Sequence, residues 1–183
     1  MQDKGGERIM LTLVTGGSGS GKSEFAEDLC VSYKSDNLIY IATMFTYDDE
    51  SLKKVERHKK MRENKNFKTI ECFKNLKDIQ IQKGCTILLD CMSNLVANEM
   101  YLEGGAGEFT VQSIVEGIKQ IRNKSENFVI VTNEVFSDGV QYDEETMRYI
   151  KYLGEINKEI GRAADNVIEV VYSIPVYHKG GEE

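Results

Sequence analysis

Short apolar runs and longer segments with apolar residues every third or fourth position alternate along this chain. Met10-Leu11-Thr12-Leu13-Val14-Thr15 ends in glycines and reads as a buried strand. Ser23 to Tyr33 spaces Phe25, Leu29 and Tyr33 four apart, which predicts an amphipathic helix. Leu38 to Ala42 predicts a second buried strand, and Asp48 to Arg62 a highly charged helix with Leu52 and Val55 as its apolar anchors. Thr69 to Cys72 and Thr86 to Asp90 read as strands, the latter buried. Phe109 to Ile121 carries Val111, Ile114, Val115, Ile118 and Ile121 at helical spacing, followed by a strand over Phe128 to Thr132. Glu144 to Ala164 predicts a long helix on Met147, Ile150, Leu153, Ile156 and Ile160. Val167 to Tyr172 is expected to close the fold, leaving Pro175 beyond the last strand and His178 in a polar tail. Gly104-Gly105-Ala106-Gly107 is expected to be a flexible loop between two helices.

Buried strands alternating with helices predict an α/β class, with a mainly parallel sheet covered on both faces. At 183 residues and 40% apolar content, one domain with a substantial core is expected over 10–183, after a disordered tail over 1–9. No stretch approaches the roughly 18–20 apolar residues of a membrane span. The first ten residues lack the apolar centre of a secretory signal. A formal charge of −7 and a pI near 5.1 argue against nucleic acid or an acidic membrane surface as partner. Cys30, Cys72, Cys85 and Cys91 form no CxxC pair, so free buried thiols in a reducing cytoplasm are expected. With only two histidines, His58 and His178, a zinc site is not expected.

The glycine run after the first strand changes the picture. Gly16-Gly17-Ser18-Gly19-Ser20-Gly21-Lys22-Ser23 has glycine, four residues, then Gly-Lys-Ser, between a strand and a helix. Its glycines let successive N–H groups turn inward onto phosphate oxygens, and the following helix adds its positive end. Lys22 offers a cation to the outer phosphates of a nucleoside triphosphate, and Ser23 a hydroxyl to Mg²⁺. Asp90, ending an apolar strand, reads either as a second Mg²⁺ partner or as the cap of a following helix.

His58 stands in Val55-Glu56-Arg57-His58-Lys59-Lys60-Met61-Arg62. Composition alone makes it a solvated surface residue. The functional alternative is a neutral imidazole attacking an α-phosphate, with Arg57, Lys59 and Arg62 holding the displaced charge. From Met10 to Lys179 a set of short markers recurs in a specific order. They are Leu13-Val14-Thr15-Gly16-Gly17 with Ser20-Gly21-Lys22-Ser23, Tyr40-Ile41-Ala42-Thr43, and Asp48-Asp49-Glu50. Arg57-His58 with Arg62, Thr69-Ile70-Glu71, and Leu88-Leu89-Asp90-Cys91 with Asn98 follow. Val131-Thr132-Asn133-Glu134-Val135 and Gly154, Asn157 and Ala164-Asp165 complete the set. On these the chain resembles the bifunctional adenosylcobinamide kinase/adenosylcobinamide-phosphate guanylyltransferases of cobalamin biosynthesis.

The resemblance implies a P-loop NTPase fold of RecA-like architecture and a transferase with adenosylcobinamide, a corrinoid, as substrate. It makes His58 the residue that takes GMP from GTP as a phosphoramidate. Ala42, Thr43 and Met44, together with Lys59, Lys60, Met61 and Arg62, would line the guanine nucleotide site, and Glu71 and Asp90 would meet nucleotide or metal. A homotrimer with sites between subunits is implied as well. Three departures bear on the corrinoid and kinase half. Gly19 replaces the family's usual arginine, Phe136 its glycine with Tyr142-Asp143 for Pro-Glu, and Met147-Arg148-Tyr149-Ile150-Lys151 its Arg-x-Phe-Arg-Asp. Two alternatives stay open on sequence: a small-molecule kinase without guanylyl transfer, using ATP or GTP, and a non-catalytic nucleotide-binding module.

Overall fold

The structure is a computed structural model and describes residues 9–135, 139–140 and 142–181; residues 1–8 of the expected tail, and Phe136, lie outside them. Among the described residues seven strands form one sheet: β1 (Met10–Thr15), β2 (Leu38–Ala42), β3 (Lys68–Glu71), β4 (Cys85–Asp90), β5 (Ser125–Val131), β6 (Asn166–Val171) and β7 (Ile174–Lys179). Their order is β3-β2-β4-β5-β1-β6-β7, parallel throughout except for β7, which runs antiparallel to β6. The helices are α1 (Lys22–Ser32), α2 (Asp49–Met61), α3 (Met92–Tyr101), α4 (Thr110–Arg122) and α5 (Glu144–Ala163).

Strand periodicity divides the core into two faces. Leu11, Leu13, Ile39, Ile41, Ile87, Leu89, Phe128 and Ile130 face one way and meet α3, α4 and α5 through Met92, Leu95, Ile114, Ile118, Leu153 and Ile156. The alternate residues Val14, Tyr40, Leu88, Val129, Val131 and Val170 face Ala26 and Cys30 of α1. Asp90 follows Leu88 by two, so its side chain stands on the α1 face together with Tyr40.

Four expectations are corrected. The deep stripe of α1 is Ala26, Glu27 and Cys30, while Phe25, Leu29 and Tyr33 are half-buried beside it. In α5 only Leu153, Ile156 and Ile160 are buried; Met147 is 49% exposed. The Gly104–Gly107 segment is pinned by the fully buried Glu99, whose carboxylate accepts from Ala106 N (2.9 Å) and Asn75 N (2.6 Å). The chain also continues past β6. Tyr172 and Ser173, both at positive φ (51° and 63°), make a two-residue turn into β7, so Pro175 and His178 lie on an edge strand. His178 Nε2 sits 2.9 Å from Glu169 Oε2 across that ladder.

Candidate active site

The strand ends converge because their registers share one row. Glu71 pairs with Ala42, Ala42 with Asp90, Asp90 with Val131, Val131 with Val14, and Val14 with Ile168. With strands spaced about 4.8 Å apart, Asp90 and Val14 stand about 10 Å from each other across β5. The glycine loop therefore leaves the sheet level with Asp90, two strands away. Crevices at the carboxyl ends of parallel strands are where ligands bind in such sheets.

The loop folds back on itself before α1. Ser20 N donates to Gly17 O at 3.3 Å and Lys22 Nζ to Gly17 O at 2.9 Å. Gly21, at φ 90°, is the N-cap of α1 and offers no side chain, so the first amides of the helix remain open toward the cavity. Only glycine fits at Gly16 (φ 151°), where a Cβ would lie 2.5 Å from Val170 O. Lys22 is buried, and burial pulls its ammonium below the ordinary lysine pKa, against the opposing pull of nearby Asp90.

α2 supplies the opposite wall. Asp48 caps it by accepting from Ser51 N at 2.8 Å, with Ser51 Oγ taking the Asp48 amide in return, so the helix starts cleanly. Near its other end, His58 Nδ1 lies 3.5 Å from Asp90 Oδ2, and that nitrogen is buried with no hydrogen bond. The side chain is 26% exposed and lines the cavity. Tyr40 Oη donates to the same Asp90 oxygen at 2.9 Å, and burial pushes that phenol far up, so it stays a neutral donor. The Arg62 guanidinium lies 3.8 Å over the Tyr40 ring, itself buried, with Nη1 left without a partner. An unpaired buried guanidinium nitrogen beside a phosphate loop is a donor set for an anion.

A cavity of about 500 Å³ joins these parts. Of the residues expected from sequence, Ser18, Gly19, Ser20, Gly21, Lys22, Ser23, Ala42, Met44, His58, Lys59, Met61, Arg62, Glu71 and Asp90 line it. Gly16 and Gly17 open the loop without being among the lining residues, and Gly17 O accepts from Lys22 Nζ. Thr43 and Lys60 do not line the cavity either. Thr43 is buried and its hydroxyl is spent bridging Cys91 N and Cys91 O, both at 2.8 Å. Lys60 sits exposed on the outer side of α2. The capping alternative for Asp90 is not what the structure has, since Cys91 is the N-cap of α3. Sequence reasoning gave no role to Tyr40, Asn94, Asn133 or Ser173, which also line the cavity. Tyr40 was findable from strand parity with Asp90, but Ser173 belongs to a turn that no glycine or asparagine announced.

The sequence model of the CobU family, cobinamide kinase / cobinamide phosphate guanyltransferase, matches residues 12–177. The chain belongs to this family. The bifunctional adenosylcobalamin biosynthesis protein CobU of Escherichia coli (strain K12) is 30% identical over 185 residues, covering 91% of this chain and 98% of that protein. The protein of the same description from Salmonella typhimurium (strain LT2) is 30% identical over 184 residues, with the same coverage of 91% and 98%. A solved structure shares the P-loop NTPase fold at low identity. It is a prototypical ATPase from the type III secretion system of pathogenic bacteria, which aligns at TM-score 0.52 and 13% identity, over 87% of this chain and 50% of that one.

In this CobU-family chain the cavity is charged on both sides. Lys54, Arg57, Lys59 and Arg62 come from α2 and its end and face Lys22 of the loop, while Asp90, Glu71 and Glu24 supply carboxylates. Among the described residues no group of three or more His, Cys, Asp or Glu could hold a metal by itself. No described helix is long and apolar enough to cross a membrane.

Proposed function

We propose that the chain phosphorylates adenosylcobinamide with ATP or GTP, and then transfers GMP from GTP to adenosylcobinamide phosphate through a His58–GMP intermediate, giving adenosylcobinamide-GDP. The observation that carries the second half is His58 lining the phosphate-loop cavity, with Nδ1 3.5 Å from Asp90 Oδ2. Asp90 favours the tautomer with its proton on Nδ1, which leaves the Nε2 lone pair free. Nε2 attacks the α-phosphorus of GTP, forming an N–P bond as the P–O bond to the β-phosphate breaks and pyrophosphate leaves. Lys22, Arg62 and the open amides of α1 hold the charge that develops on the phosphates. A phosphate oxygen of adenosylcobinamide phosphate then displaces the imidazole, which returns to its starting state. For the kinase half, the same cradle presents the γ-phosphate to the adenosylcobinamide hydroxyl.

Ser23 and Asp90 fit Mg²⁺. Both are hard oxygen donors on one cavity, and among the described residues nothing donates to Asp90 Oδ1. The lack of an all-protein cage among those residues suits an ion held largely through phosphates. Bound there, Mg²⁺ neutralises charge on the triphosphate. The exposed apolar residues of β7, such as Ile174 and Tyr177, support the homo-oligomer implied by family likeness.

Intact-protein mass after incubation with GTP and Mg²⁺ tests the reading. A GMP increment is expected in the parent and in His178→Ala, and none in His58→Ala. The increment should disappear in acid and survive mild base, as a phosphorus–nitrogen bond does. An adduct persisting in His58→Ala overturns the mechanism; no adduct in a parent that binds GTP points to a kinase without guanylyl transfer or to a non-catalytic nucleotide-binding module.

A further inference from the structure

α2 carries His58, yet none of its thirteen residues is buried. A helix without a buried apolar stripe is not held in place by the hydrophobic effect. Its attachments lie at its C-terminal end: His58 beside Asp90, Arg62 over Tyr40, and Lys65 in the turn that follows. Lys65 Nζ donates to Glu27 Oε2 at 3.0 Å and pairs with Asp28 Oδ1 at 2.6 Å. Lys65 N also donates to Arg62 O at 2.9 Å, so the turn couples the two basic side chains.

Glu27 is the unexplained member. It is fully buried in the second turn of α1, the helix that begins at the phosphate loop, and its Oε1 has no hydrogen-bond partner. Burying a carboxylate costs more than one ion pair returns, and an apolar residue in its place would be no less stable. Stability therefore does not account for a glutamate here. Its location does: Glu27 ties the helix that cradles the phosphates to the end of the helix that carries the nucleophile.

We propose that the Glu27–Lys65 ion pair is a positioning device that fixes the end of α2 against α1, setting His58 and Arg62 over the phosphates held by the glycine loop. This rests on His58 being the guanylylated residue. Neither member touches the reacting atoms. Their effect passes through the placement of His58 and Arg62, where a shift of about 1 Å is worth roughly a hundredfold in rate.

The test is single-turnover guanylylation of His58, measured by intact mass, with GTP-analogue affinity and Tm recorded on the same proteins. Glu27→Gln, Lys65→Met and the double variant are expected to slow adduct formation by roughly 10–100-fold while analogue affinity stays within about threefold. Lys65→Arg keeps the charge and both acceptors and is expected to retain the parent rate within about threefold. The double variant strands no buried charge, so it should keep a higher Tm than Lys65→Met, which leaves the Glu27 carboxylate unpaired, while still slow. A folded double variant that forms adduct at the parent rate overturns the proposal, and so does a Lys65→Arg rate as low as that of Lys65→Met. Should the double variant not fold, Lys65→Met against Lys65→Arg makes the same comparison. Absence of adduct in the parent, with GTP bound, overturns the His58 reading itself and is told apart by that control.

Discussion

Asp90 serves two neighbours through one oxygen, accepting from Tyr40 Oη at 2.9 Å and lying 3.5 Å from His58 Nδ1, while no described residue donates to Oδ1. On the proposed reading, the carboxylate both orients the imidazole and meets a cation on the phosphates. Asp90→Asn keeps an acceptor for Tyr40 and loses the charge. It is expected to cut metal-dependent guanylylation by about 10–100-fold while metal-free nucleotide binding changes little; equal losses in both assays would remove the metal role. Lys22 is the only cation that the glycine loop itself provides, the exposed Gly19 contributing no side chain. Lys22→Ala is expected to weaken binding of a GTP analogue by about 2–3 kcal/mol, roughly a hundredfold, in isothermal titration. Unchanged affinity would detach the loop from triphosphate binding. Lys22 and Ser23 were legible from the Gly-x4-Gly-Lys-Ser spacing that opens α1, and Asp90 from its place at the end of an apolar strand. Glu27 was not, since one more glutamate on a helix reads as solvent-facing until the packing of α1 is known.

Sequence periodicity gave no range for α3 and missed the return strand of the β6–β7 hairpin, the latter for a local reason. Its turn is Tyr172-Ser173, both at positive φ, where asparagine and glycine ordinarily sit. All six β7 residues are exposed, so no buried alternation marked the strand, and Pro175 counted against one. The buried strands and α1, α4 and α5 were legible because burial on one or both faces forces an apolar pattern, with ends off by at most three residues. The hairpin matters because Ser173 N donates to Ser20 O at 2.8 Å, seating the turn on the phosphate loop. Replacing Tyr172 and Ser173 together by Asn-Gly removes two left-handed residues that cost about 1 kcal/mol or more each. The backbone amide that meets Ser20 is retained. Calorimetry is expected to show Tm raised by several degrees, at about 2–4 °C per kcal/mol for a chain of this size. A lowered Tm would mean that the two side chains contribute packing on the loop beyond that hydrogen bond.

Across the whole molecule, the four cysteines report separately on the two faces of the sheet. Cys72 and Cys85 belong to the cluster under α3, α4 and α5, and Cys30 and Cys91 to the cluster under α1. All four are free and buried, and burial pushes their thiols up, Cys72 to about 11. A thiol reagent at neutral pH therefore reaches them only when the structure opens. Four equivalents are expected in guanidinium and close to none at early times in the native protein. Cys91 is the exception in position, since it follows Asp90 and lines the nucleotide cavity, while Cys85 begins the same strand at its far end. A ligand bound only by the folded state suppresses global opening at every thiol equally, by RT ln(1 + [L]/Kd). A ligand seated in the cavity also blocks Cys91 directly. Peptide mapping after timed labelling, with and without a GTP analogue and Mg²⁺, should show protection at Cys91 exceeding that at Cys85. Equal protection at both would place the nucleotide away from the end of β4. No protection at either would mean that the folded chain does not bind it.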